Sequence, residues 1–100
     1  MIMDEVRSVN GVQIRLTGER WAHIIGARDD LVDRSADVLD VVQFPDWVTK
    51  GYRGSLVAWK GYGRRGYLVV FYKELTADDG FIITAFFSKT PKKRGRVWPK

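Results

Sequence analysis

Two runs in the second half of the chain are almost unbroken in apolar, aromatic and β-branched residues: Gly66 to Glu74 and Phe81 to Ser88. A polar segment ending in Asp79-Gly80 joins them, so together they read as a β-hairpin in the middle of a sheet. Side chains alternate along the last run. Phe81, Ile83, Ala85 and Phe87 fall on one face, which reads as pure core. Ile82, Thr84, Phe86 and Ser88 fall on the other, which carries two hydroxyls.

Upstream, residues 1–11 read as a loose lead-in, and Val12 to Leu16 as a short strand with Gln13 and Arg15 on one face. Thr17 can cap a helix whose first turn carries Glu19, favourable at the positive end of the helix dipole. Trp21, Ile24, Ile25 and the stem of Arg28 form its inner stripe. His23 lies away from that stripe, beside Arg20, and faces water or a groove. Gly26 weakens the helix and Arg28-Asp29-Asp30 interrupts it. A second helix is expected over Leu31 to Phe44 with Asp29 or Asp30 as cap. Leu31, Val32, Ser35, Val38, Leu39 and Val42 make its apolar side; Asp33, Asp37 and Asp40 make a solvated one. Pro45 ends it, and Phe44 to Trp47 reads as a turn.

Ser55 to Lys60 is a further strand, and the glycine-punctuated stretch Gly61 to Gly66 is a basic hairpin tip. From Lys89 onward two prolines and the lack of any apolar period predict a basic flexible tail over residues 91–100, after a single domain over 1–90. The expected fold is α+β. Two N-terminal helices pack on one face of a twisted, mostly antiparallel four-stranded sheet.

One hundred residues suit one domain, and the chain has no cysteine and a single histidine. Disulfides and thiolate metal sites are excluded, a histidine-rich metal site is disfavoured, and no cofactor is expected. The first residues carry no basic-then-apolar leader and no run approaches membrane length, so a cytoplasmic location without membrane contact is expected. The net charge of +5 conceals a division. Residues 29–46 hold six aspartates and one arginine; residues 50–73 and 89–100 each hold six basic groups and no acid. Such segregation draws polyanions to one side of a molecule.

Five segments stand out together: Glu19-Arg20-Trp21-Ala22-His23-Ile24, the helix end at Arg28, Pro45-Asp46, Tyr67-Leu-Val-Val, and Asp79-Gly-Phe-Ile-Ile-Thr-Ala-Phe-Phe-Ser-Lys89. Their pattern resembles the phage- and mobile-element-associated nuclease-like domains, a group gathering barnase, EndoU, colicin-type and RelE-like ribonucleases. The resemblance spans roughly residues 12–90 and implies a RelE/barnase-like fold, a small metal-independent ribonuclease, a toxin-like role and an antitoxin or immunity partner. One departure is visible: Arg28 is followed by Asp29-Asp30, where a histidine often stands in such domains.

Metal-free RNA cleavage needs a base for the 2′-hydroxyl, cations for the phosphorane and an acid for the leaving oxygen. On that reading His23 is the base or acid. Arg28, Lys60 and Lys89 bind the scissile phosphate, and Thr84 and Ser88 orient it. Arg20, Arg53, Tyr62, Arg64, Arg65, Lys92, Lys93, Arg94 and Arg96 hold the rest of the RNA, with Tyr52, Trp59, Tyr62 and Tyr72 as stacking candidates. Each has a plainer reading. His23 can be a solvated surface residue, the hydroxyls strand neighbours, and the arginines partners of aspartates in exposed pairs contributing about 0–1 kcal/mol. Two other functions stay open: a non-catalytic RNA- or DNA-binding module using the same basic face and tail, and a partner-binding domain docking through the acidic helix.

Overall fold

The computed structural model describes residues 1–100. Its strands are β1 (Ile2–Arg7), β2 (Gln13–Thr17), β3 (Trp47–Lys50), β4 (Leu56–Gly61), β5 (Tyr67–Glu74), β6 (Gly80–Ser88) and β7 (Arg96–Trp98); its helices are α1 (Gly18–Ala27) and α2 (Ser35–Gln43). All seven strands form one sheet in the order β1-β2-β6-β5-β4-β3-β7.

This corrects the expected four-stranded sheet with helices leading the chain. The sheet has seven strands and is mixed, because β2 joins β6 in parallel while the other pairings are antiparallel. A β-hairpin precedes the helices. The three strands absent from the sequence reading share a cause: none carries a clean apolar alternation. β1 is nearly all exposed and is held by backbone pairing to β2. β3 is buried on three of its four residues and starts two residues after Pro45. β7 adds an edge strand against β3 in the segment expected to be a flexible tail.

α1 begins where the sequence places it, with the Thr17 side chain accepting a hydrogen bond from the Arg20 backbone N–H. The second helix is shorter than expected. A 3-10 turn over Asp29–Leu31 seats the fully buried Leu31, and Asp33 then takes a left-handed φ of 70°. Asp adopts that region more readily than most residues. α2 starts only at Ser35, with Arg34 as N-cap and no side-chain capping bond, so neither Asp29 nor Asp30 caps it. Val38, Leu39, Val41 and Val42 are buried beneath it. At roughly 1.5–3 kcal/mol for a fully buried aliphatic side chain, that stripe outweighs the exposed Arg34–Asp37 pair at about 0.3–0.5 kcal/mol.

The sheet divides the interior into two clusters. On one face Ile24 of α1 and the α2 stripe pack against Ile14, Leu16, Ala58, Leu68, Val70, Tyr72, Ile82 and Ala85. On the other face Trp47, Val57, Trp59 and Val69 are buried without any helical residue; Tyr67, Phe71 and Phe86 pack beside them. A bulge in β6 decides which residues belong where. Phe71 pairs with Thr84 but Tyr72 pairs with Ile82, so Ile83 is the extra residue. The expected alternation therefore breaks in mid-strand. Ile82 joins Ala85 on the helix side, while Phe81 sits opposite Lys73 on the open side with Thr84, Phe86 and Ser88.

Candidate nucleic-acid interface

The open face is built by parity. Trp47 pairs with Trp59, Thr49 with Val57 and Phe71 with Thr84, and each pair projects away from the helices. The result is two aromatic rows. In the first, Trp47 and Trp59 lie parallel with Tyr67 edge-on to both. In the second, Tyr52 packs on Phe71 at 5.8 Å between centroids, and Phe71 on Phe86 at 5.9 Å. The Arg28 guanidinium, at the end of α1, closes that row 5.6 Å from the Phe86 centroid. Tyr52 is 62% exposed, and Phe71 and Phe86 are half-buried, so this second row is the accessible one.

Cations border both rows. Lys93 Nζ stands 5.1 Å from the Trp47 centroid, and the Lys92 carbonyl accepts the Trp47 indole N–H at 2.9 Å. Lys73 shares the face of Phe71 on β5 and donates to the Arg53 carbonyl, which ties the turn carrying Tyr52 and the exposed Arg53 to that side of the sheet. Of the seventeen Lys and Arg side chains, only Arg15, Arg34 and Lys60 pair with a carboxylate. The cations of the open face therefore keep their charge for a ligand. Between the rows lies a hollow of about 380 Å³ lined by Thr49, Lys50, Gly51, Tyr52, Val57, Trp59, Phe71 and Lys92.

The six residues assigned to RNA cleavage do not converge. His23 is exposed and shares a shallow hollow with Thr17, Glu19 and Arg20. Lys60 projects to the helix side, paired with Asp40 at 2.8 Å and standing over Phe44. Thr84 and Ser88 project to the open side, and the Ser88 hydroxyl is taken up by the backbone N–H and carbonyl of Thr90. Lys89 lines a separate hollow with Asp30, Arg64, Arg65 and Phe87 at the hairpin tip. Of the six, Arg28 reaches the aromatic row at Phe86 and Thr84 stands opposite Phe71 within it.

The proposed binding residues divide likewise. Arg53, Lys92 and Lys93 border the open face, and Arg94 and Arg96 follow them as exposed residues on the way into β7. Arg64 and Arg65 belong to the hairpin tip, where Arg65 stands over Phe87. Tyr62 packs on Phe87 on the helix side; burial first, then the carboxylates of Asp37 and Asp40, push its phenol above its ordinary pKa. Tyr72 is fully buried under the helices and offers no stacking surface.

Sequence reasoning did not select Trp47, Phe71 and Phe86 as site residues: it took the hydroxyls, not the ring, from the face that Phe86 shares with Thr84 and Ser88, and near-continuous apolar strands do not show which face the helices leave open. A signal was available. The helices carry only two short apolar stripes, enough to cover one face, while the strands supply aromatics to both.

No group of three or more His, Asp or Glu side chains stands where it could hold a metal ion, and no helix is long and apolar enough to cross a membrane. No protein-family model, curated protein or solved structure matches the chain.

Proposed function

We propose that this protein binds single-stranded nucleic acid, RNA foremost, across the open face of its sheet. The observation that carries the reading is the row Tyr52–Phe71–Phe86–Arg28, an accessible line of stacking surfaces on a face no helix covers. Successive bases stack on such rings with little regard to sequence, each interaction worth about 1–3 kcal/mol. Lys73, Arg53, Lys92 and Lys93 border the open face without carboxylate partners and are suited to the phosphates. A duplex hides the faces of its bases, so single strands are the matching ligand. Cleavage has no comparable support, since His23 and Lys60 lie apart from the open-face hydroxyls.

The test is fluorescence anisotropy of a labelled single-stranded RNA of mixed sequence, titrated at several salt concentrations beside the same sequence as a duplex. If the four cations meet four phosphates, log K falls against log[salt] with a slope near −3, from about −0.7 per phosphate on single strands. Preference for the single strand with that slope is expected. A flat salt response, or equal binding of the duplex, overturns the reading.

A further inference from the structure

β1 is an outer strand of the sheet: β2 pairs with it on one side, and no strand of the chain pairs along the other. Five of its six residues are exposed. The turn that follows does not shield the free edge. It curls inward over the end of the sheet, where the Ser8 hydroxyl donates to one Glu74 carboxylate oxygen at 2.6 Å and the Asn10 carboxamide to the other at 3.1 Å. A bare edge of this kind is a template for a further strand.

The backbone shows which residues offer themselves there. An antiparallel pair alternates between residues that exchange backbone hydrogen bonds and residues that turn those groups away. The Ser8 N–H donates to the Val12 carbonyl at 2.8 Å. In the register Arg7↔Gln13, Val6↔Ile14, Glu5↔Arg15, the groups of Val6 therefore face β2, and those of Glu5 and Arg7 face outward. The Glu5 N–H fits this assignment, since the Asp4 carboxylate meets it at 2.8 Å. Both side chains are exposed, and neither takes part in an ion pair. The Arg7 guanidinium gives one N–H to the Gly11 carbonyl at 2.8 Å and keeps its other donors.

We infer that β1 pairs antiparallel with β1 of a second copy of this chain, about a two-fold axis at Val6. In that register Glu5 stands opposite Arg7 of the second copy, and Arg7 opposite Glu5 of the second copy. The residues with outward backbone groups thus meet each other and exchange both N–H···O bonds, and each meeting joins opposite charges. An axis at Glu5 or at Arg7 would set like charges face to face. The contact is isologous and closes at two copies. The other edge, β7, is three residues long and is followed by Pro99, so it offers no ladder of this length. Directly opposed residues of an antiparallel pair point to one side, so the two sheets become one continuous sheet with both open faces on the same side. This pairing stands apart from nucleic-acid binding and does not require it.

Sedimentation equilibrium of the intact chain, from roughly 10 μM to 1 mM, is the test. A monomer–dimer equilibrium is expected. Arg7→Glu and Glu5→Arg each set like charges opposite one another, and each alone is expected to dimerise about tenfold more weakly or worse. Of these two variants one is acidic at both positions and the other basic at both, so an equimolar mixture regains the opposite-charge pairs and is expected to recover the parental affinity. Arg7→Pro deletes an outward N–H but no bond to β2, and is expected to abolish the dimer. Circular dichroism checks that the variants fold. A parent that stays monomeric over this range overturns the inference. So does a folded variant that dimerises like the parent, or a mixture that does not recover. Growth beyond a dimer would bring the β7 edge into the contact and overturns it as well.

Discussion

Trp47 and Trp59, neighbours on β3 and β4, stack with ring centroids 5.6 Å apart and planes 6° from parallel. Each indole N–H is satisfied by a different element: Trp47 donates to the Lys92 carbonyl and Trp59 to the Thr49 hydroxyl. The stack is the inner wall of the open face. It also ties the segment before β7 to the sheet, since Lys92 and Lys93 engage the same ring from two sides. Trp59→Phe keeps an aromatic ring but removes a buried donor and shrinks the stack. A loss of roughly 1–3 kcal/mol is expected, read from urea unfolding. An unchanged midpoint would mean that the stack contributes nothing to stability.

Tyr72 presents the opposite situation. It is fully buried between Leu56 and Ile82, and its hydroxyl has no hydrogen-bond partner. Tyr72→Phe therefore removes a desolvated group without breaking a bond, and stability is expected to rise by about 1–2 kcal/mol. The pH dependence follows from the same burial. Burial first, then the Glu74 carboxylate, raise the phenol above its ordinary value of 10.0. The folded chain holds this proton where the unfolded chain releases it. That contribution is complete below the unfolded value and is lost as pH rises through and beyond it. Tyr72→Phe should therefore resist alkaline unfolding better than the parent, with its alkaline midpoint at higher pH, and a parent and variant with the same midpoint would contradict this.

At the start of α1, Thr17 caps the helix and Glu19 sits in the first turn. Thr17→Ala is expected to cost about 1 kcal/mol and Thr17→Ser much less, measured by thermal unfolding. The Glu19 carboxyl is held below its ordinary value of 4.5 by its own backbone N–H and then by the Met1 ammonium. Its contribution is present above that value and fades as pH falls through the lowered one. Glu19→Gln should flatten the acid side of the stability profile. An identical acid limb in the variant would remove Glu19 from the account.

Two glycines should respond in opposite directions to alanine. Gly26, near the end of α1, has open space where a Cβ would stand and an ordinary φ. Gly26→Ala is expected to stabilise by about 0.5–1 kcal/mol through helix propensity. Gly66, where the basic hairpin tip enters β5, has φ +84°, and a Cβ there would collide with the Ser88 carbonyl and the Lys89 backbone. Gly66→Ala is expected to cost roughly 3 kcal/mol or more. Chemical denaturation of the pair is the check, and equal effects would contradict the local geometry.

On the proposed interface, Phe71→Leu retains an apolar side chain but removes the central ring between Tyr52 and Phe86. Affinity for single-stranded RNA should fall by about 1–3 kcal/mol with the salt slope unchanged, because no phosphate contact is altered. Lys93→Gln should do the reverse, lowering the slope by about 0.7 with a modest loss of affinity. Anisotropy titrations at several salt concentrations separate the two. If both variants bind like the parent, the open face is not where the strand lies.

The amino-acid sequence by itself determined the elements whose signals are local. A hydroxyl before an amphipathic run produced the Thr17 cap and α1, and β-branched and aromatic runs produced β4, β5 and β6. It also determined the separation of acidic from basic segments, since charge order along a chain survives any folding. Tertiary structure decided everything that depends on a partner. β1, β3 and β7 are strands because neighbouring edges supply their backbone hydrogen bonds, which no side-chain pattern in those segments announces. The bulge at Ile83 moved Ile82 into the core and Phe81 out of it, because one extra residue reverses the parity of a strand. Lys60 and Thr84 are separated by the thickness of the sheet for the same reason: strand residues close in space share a site only if their parity matches. The aromatic row from Tyr52 to Arg28 joins a loop, two strands and the end of a helix, and only packing brings those four together.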